Sequence, residues 1–146
     1  MDFMKPQTRS ALMSQIRSKD TKPEMLVRRL LHGMGLRYRL HRKDLPGKPD
    51  ITLPKWNTVV FVNGCFWHQH PSNNCRASAI PTSRQDYWVP KLARTVARDA
   101  ENVAALKALG WRVLVLWECE LKEEVVLQAQ IETFLNMPNH RSLLET

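Results

Sequence analysis

Three cysteines and a histidine of this 146-residue chain have types and spacings that suit a metal ion. Cys65, His70 and Cys75 follow one another at equal intervals, and Cys119 closes a later apolar run. Thiolate and imidazole are the donors a structural Zn2+ prefers, and four of them complete a tetrahedron. Such a site would pin down a polar loop that hydrophobic packing could not hold. By spacing alone His68 could replace His70, and three unligated core thiols are the plainer alternative. The three thiols cannot all pair within one chain, which disfavours a disulfide framework.

A second set is Asp50, at the head of one strand-like segment, and His68, beyond the next. A carboxylate there suits a hard divalent cation and phosphodiester hydrolysis. His68 is the nearest candidate base with a suitable titration range. Pro49-Asp50 resembles the first half of a restriction-type nuclease motif. The second half, an acidic residue and a lysine on the following strand, is absent from residues 58–62. An Asp at a strand start is otherwise a turn or cap residue.

Aromatic residues form a third set. Phe66-Trp67 interrupts the polar loop, and Tyr87-Trp88 opens the next helical segment. Large rings on a basic surface can stack on bases or wedge between them, although single tryptophans more often fill cores. For Phe66 and Trp67, set between a candidate metal ligand and a candidate base, the functional reading is favoured.

The elements that must position these groups follow from patterning. Residues 8–17 read as a short helix with Leu12, Met13 and Ile16 apolar. Thr21-Lys-Pro-Glu24 has capping-box spacing and begins a second helix, with Met25, Leu26, Leu30 and Leu31 as its apolar face and Gly33 and Gly35 as its stop. Residues 36–41 alternate like a half-buried strand, Leu45-Pro-Gly-Lys-Pro is a turn, and a second strand begins at Asp50. Residues 58–62 are a buried strand, 63–82 an irregular loop, and 83–109 a helical region interrupted near Pro90. Residues 111–117 are a further strand, and 123–134 a last helix before a polar tail. The order α-α-β-β-β-loop-α-β-α predicts an α/β mixed sheet flanked by helices. A single domain is expected, with residues 1–7 and about 136–146 flexible.

Composition narrows the function classes. The chain is 43% hydrophobic and 25% charged, with no repeat and no apolar run of membrane-spanning length. Met1-Asp-Phe-Met-Lys-Pro lacks the apolar core of a signal peptide, so a cytoplasmic protein with no membrane partner is expected. Residues 1–109 carry 19 basic and 8 acidic groups, whereas residues 110–146 carry 3 and 6. A basic body with an acidic tail fits a polyanion such as DNA.

Together these residues resemble a known family. Thr8-Arg-Ser10 with Met13, Leu45-Pro-Gly-Lys-Pro-Asp50, Phe61-Val-Asn-Gly-Cys-Phe-Trp-His68, Tyr87-Trp88, Arg98-Asp99 and Gly110-Trp-Arg-Val-Leu-Val-Leu-Trp-Glu-Cys119 are similar to the Vsr-type very short patch repair endonucleases. The resemblance spans residues 8–134. It implies a restriction-endonuclease-like fold with one structural Zn2+ and Mg2+-dependent hydrolysis. It further implies nicking of double-stranded DNA 5′ to the T of a T:G mismatch left by deaminated 5-methylcytosine, which hands a 5′-phosphate to repair synthesis.

By position, the resemblance makes Asp50 the side-chain Mg2+ ligand, joined by the backbone carbonyl of Val62, and His68 the general base. Asp99 supports that histidine, and Glu24 acts through metal-bound water. Cys65, His70, Cys75 and Cys119 hold the zinc. Phe66, Trp67 and Trp88 enter the duplex from the major groove, and Met13 from the minor groove. Three positions depart from the family pattern. Val62 replaces Thr, which a carbonyl ligand tolerates. Asn63 replaces a His near the scissile phosphate, which bears on rate. The interval from His70 to Cys75 is longer. A nucleoid-associated monomer working with mismatch-repair and repair-synthesis proteins is expected. Two other classes compete: a restriction-type endonuclease cutting matched DNA, and a degenerate zinc-stabilised DNA-binding module.

Overall fold

The structure, a computed structural model, describes residues 21–72 and 75–137. The helix expected over residues 8–17, with Met13, lies outside the described residues. The remaining elements occur in the expected order. Helix α1 (Lys22–Gly33) leads into β1 (Arg39–Leu40), β2 (Ile51–Leu53) and β3 (Thr58–Asn63); α2 (Gln85–Ala108), β4 (Arg112–Trp117) and α3 (Glu124–Leu135) follow.

The sheet order is β1-β2-β3-β4. The first three strands are antiparallel neighbours, and β4 runs parallel to β3, with Val60 opposite Leu114 and Val62 opposite Leu116. Parallel neighbours cannot be joined by a tight turn, and the long α2 supplies the crossover. Asn57 fixes the register at one end: its side-chain amide donates to Gly110 O at 2.6 Å, and its carbonyl accepts from Arg112 N at 2.8 Å.

Strand alternation divides the interior. Ile51, Leu53, Val60, Leu114 and Leu116 pack with Val27, Leu30 and Leu31 of α1 and with Leu127, Ile131 and Leu135 of α3. On the opposite face Val59 packs with Leu45 and with Leu106 of α2, flanked by Phe61, Trp111 and Val113. Burial of these side chains from water, roughly 1.5–3 kcal/mol each, holds the sheet between its helices.

Three local expectations change. The buried stripe of α1 is Glu24, Val27, Leu30 and Leu31, whereas Met25 is exposed. The stripe is rotated because Thr21 Oγ1 accepts from Glu24 N at 3.3 Å and the Glu24 side chain turns inward. Of the strand expected over 36–41, only Arg39–Leu40 is strand. Pro90 does not interrupt α2, which is continuous from Gln85 to Ala108. Lying in the second turn, Pro90 removes one backbone bond, which the surrounding ladder tolerates.

Candidate active site and metal centre

The turn before β2 places Asp50. Gly47 has φ +73°, and a Cβ there would lie 2.9 Å from Asn102 Cβ on α2. The turn can seat against the helix only with glycine at that point. With Ile51 opposite Val60, the Asp50 carboxylate stands near the end of β3, and its Oδ2 accepts from Val62 N at 2.8 Å. In an extended strand a residue's N–H and C=O leave on the same edge. The Val62 carbonyl therefore faces the Asp50 side.

Glu24 comes to the same place from α1 with 2% of its surface exposed, and His41 Nε2 is 3.3 Å from its Oε1. The donor atoms of Glu24, His41 and Asp50 all lie within 4.8 Å of one another. Burial pushes the Asp50 carboxyl up to about 6; the Glu24 charge adds to this, while the Val62 N–H and the two nearby imidazoles oppose it. Two carboxylates and an imidazole in a half-buried pocket form a donor set that suits a divalent cation, whose charge would offset this desolvation. His41 was not singled out from the sequence. Its signal was slight: a histidine ending a basic, alternating segment.

His68 stands beyond β3, in the turn closed by His68 N to Gly64 O at 3.2 Å and His70 N to Cys65 O at 2.9 Å. Its Nδ1 is 2.6 Å from Asp99 Oδ2 on α2. A carboxylate accepting from Nδ1–H leaves Nε2 with its lone pair, the tautomer a proton acceptor needs. Both side chains are half-buried. They line a groove of about 560 Å3 between α2 and the sheet face carrying Phe61, Asn63, Val115 and Trp117.

The second cluster contains Cys65, His70, Cys75 and Cys119, again with donor atoms within 4.8 Å of one another. His70 Nδ1 lies 3.3 Å from Cys119 Sγ and 3.8 Å from Cys65 Sγ. A tetrahedral zinc with ordinary bond lengths separates nitrogen and sulfur donors by about 3.5 Å, so the four fit a zinc ion. The structure thus brings His70 to the thiols and sends His68 to Asp99. Outside the cluster, His70 Nε2 meets Glu120 Oε1 at 3.2 Å and the ring stacks on Trp117 at 4.4 Å. A carboxylate on the far nitrogen orients a metal-binding imidazole. Burial pushes the Cys65 thiol up to about 12 and raises Cys119, while the His70 ring draws Cys75 down to about 6.

The rings form a third group, with Phe66 and Trp67 directly following Cys65 in the chain. Phe66 and Trp67 are 5.1 Å apart, Phe66 and Trp88 5.4 Å, and Trp67 and Trp88 5.9 Å. Lys91 Nζ approaches the Trp67 ring at 5.9 Å and the exposed Tyr87 ring at 5.2 Å. Gln69, also missed in the sequence, secures the loop by donating to Phe66 O at 2.6 Å and Ser78 O at 3.0 Å. Nothing in its local pattern marked it, because both acceptors are backbone oxygens brought near by the turn.

Comparison with known proteins bears directly on this arrangement. The model of the family described as DNA mismatch endonuclease Vsr matches residues 1–74. A type II nicking enzyme of Xanthomonas oryzae pv. oryzae, V.XorIIP, is 52% identical, over 92% of this chain and 97% of the relative. The chain belongs to the Vsr endonuclease family. As a Vsr-family endonuclease, it is a DNA-cleaving hydrolase. The type II nicking enzyme V.NmeAIP of Neisseria meningitidis is 43% identical, over 89% of this chain and 91% of the relative. The DNA mismatch endonuclease Vsr of Escherichia coli is 40% identical, over 79% and 72% respectively. Among solved structures, the catalytic domain of the homing endonuclease I-Bth0305I matches with a TM-score of 0.54 at 23% identity, over 79% of this chain and 94% of that one. The expected mixed sheet flanked by helices is thus the fold of a Vsr-family chain. Among its described residues, no helix is long and apolar enough to cross a membrane.

Proposed function

We propose that this Vsr-family endonuclease nicks duplex DNA on the 5′ side of the T in a T:G mismatch arising from 5-methylcytosine deamination, and so starts very short patch repair. Supporting this above all is the His68–Asp99 pair, whose His68 directly follows Phe66 and Trp67 of the ring cluster and whose Asp99 lies on the same helix as Trp88. A group that inserts beside a weakly stacked base pair is thereby joined to a group that moves a proton. Two relatives named as type II nicking enzymes favour cutting one strand over cutting both.

In this reading Phe66, Trp67 and Trp88 unstack the duplex from the major groove, and Met13 enters from the minor groove. Unstacking costs a few kcal/mol and less at a mismatch, so deformability contributes to selectivity. Lys91, beside the Trp67 ring, and Arg84, beside the Tyr87 ring, would approach the phosphates. His68 Nε2 takes the proton of the attacking water, and Asp99 holds the ring in the tautomer that leaves Nε2 to accept it. Asp50 and the Val62 carbonyl would hold Mg2+, and Glu24 would orient its water. When bound, the ion supplies Lewis-acid polarisation of the scissile phosphate and charge neutralisation. Cys65, His70, Cys75 and Cys119 would hold a structural Zn2+ that ties the ring-bearing loop to the end of β4. The lesion is asymmetric, so one copy suffices. A cytoplasmic monomer at the nucleoid then passes its 5′-phosphate product to repair-synthesis and mismatch-repair proteins.

The test is a panel of labelled duplexes, each with one T:G mismatch in a different five-base context, together with matched controls. One nick 5′ to the T, absent with EDTA, is the expected result. Cleavage of both strands of matched DNA would favour the restriction-type class, and mismatch binding without cleavage the degenerate module.

A further inference from the structure

We propose that His41 is a nitrogen ligand of the catalytic cation and that Glu24 binds the ion directly beside it, not through water, so that with Asp50 they form a mixed nitrogen–oxygen site that holds Mn2+ in preference to Mg2+. The proposal rests on the reading of Asp50 as a metal ligand.

The three donors come from separate elements: Glu24 from α1, His41 just after β1, and Asp50 just before β2. Their convergence within 4.8 Å is therefore a product of the fold and not of local sequence. Neighbouring ligands around an octahedral ion with bonds near 2.1–2.2 Å are about 3 Å apart, and opposite ones about 4.3 Å. His41 Nε2 and Glu24 Oε1, 3.3 Å apart, suit adjacent positions of one shell.

His41 is also one of six described non-glycine residues with positive φ, and of the three candidate ligands it alone has one. His41 has φ +50°, a left-handed conformation disfavoured by its Cβ, while its N–H still donates to Asp50 O at 3.1 Å. The chain thus leaves the sheet at His41 and keeps the imidazole beside the carboxylates. Strain of this kind persists where the surroundings over-determine it, and it clusters at ligand sites.

Imidazole is a softer donor than water or carboxylate. Mg2+ favours oxygen and retains water, whereas Mn2+ accepts nitrogen and oxygen together. Replacing one oxygen of the shell by His41 Nε2 therefore tilts the site toward Mn2+. A plain ion pair between His41 and Glu24 would leave the cation an all-oxygen shell and no such preference.

The test uses the full chain loaded with zinc, so that the thiol cluster is filled, and Mn2+ as the probe. Pulsed electron paramagnetic resonance of bound Mn2+ should show coupling to nitrogen that changes when histidine is 15N-labelled. The coupling should vanish in His41→Gln and survive in His68→Ala. By calorimetry, the ratio of Mn2+ to Mg2+ affinity should fall about tenfold in His41→Gln. A nitrogen-free Mn2+ signal in the unaltered protein overturns the proposal without any variant. Coupling that persists in His41→Gln, or an unchanged affinity ratio, overturns it as well. Undiminished Mn2+ binding by Asp50→Asn would remove the ligand reading beneath it. Nicking of the mismatched duplex is scored separately, so mismatch specificity and the nitrogen ligand can fail independently.

Discussion

His68 Nδ1 and Asp99 Oδ2, 31 positions apart in the chain, lie 2.6 Å from each other across the groove between the sheet and α2. A loop residue and a mid-helix residue reach this distance only when the 65–70 turn is seated against α2. The pair fixes which imidazole nitrogen is left to accept a proton.

His68→Ala should abolish nicking and leave duplex affinity within a few-fold of the unaltered protein. Asp99→Asn should remove the carboxylate that fixes the ring's tautomer, slowing single-turnover nicking by roughly 10²–10⁴. Rapid-quench assays at saturating protein, with binding isotherms in parallel, check both. Normal nicking by His68→Ala would reject the base assignment.

Cys119→Ser should remove bound zinc, because one sulfur lost from a four-donor cluster lowers affinity steeply. The loop carrying Phe66 and Trp67 loses its anchor to the end of β4. Elemental analysis should give no stoichiometric zinc, with a melting temperature lowered by several degrees. Unchanged metal content would sink the zinc assignment.

Trp67→Ala should weaken mismatch binding by about 1–3 kcal/mol, the usual magnitude of one stacking contact, with little effect on matched DNA. A 2-aminopurine beside the mismatch reports unstacking directly: its fluorescence should rise with the unaltered protein and much less with the variant. Equal loss of affinity for matched and mismatched duplexes would show that the ring serves only the core.

Burial raises the Asp50 carboxyl from its ordinary value of 3.8 to about 6. In metal-free protein the folded state therefore favours the protonated form, and this group's contribution to stability falls as pH rises from about 4 through 6. Protons compete with the cation over the same interval, so divalent-metal affinity should drop about tenfold per pH unit below 6 and level off above it. Without metal at pH 8, Asp50→Asn should melt higher than the unaltered protein while failing to bind the cation. Thermal melts with and without divalent metal test both signs.

Legibility in the sequence followed the range of the interaction. Thr21-x-x-Glu24 marked the start of α1 because an N-cap bond from Glu24 N–H to Thr21 closes within one turn. The zinc-type ligands were legible because their types are uncommon and three crowd into one loop. The choice between His68 and His70 required the distant partners, Asp99 and Cys119. His41 was illegible because it becomes a site residue only through the register that sets Leu40 opposite Ile51. Pro90 was over-read as a break: a proline in the second turn of a helix as long as α2 weakens one bond of many.

Helix α2 carries Trp88 near its start and Asp99 eleven positions later, three turns on and about 16 Å along the same face. One rod thus bears a tool tip and the stop that sets the histidine. Pro90 lies between them without breaking the helix. In the proposed reading, the span from the wedge ring to the partner of the histidine is therefore set by the rise of a single helix and not by a loop.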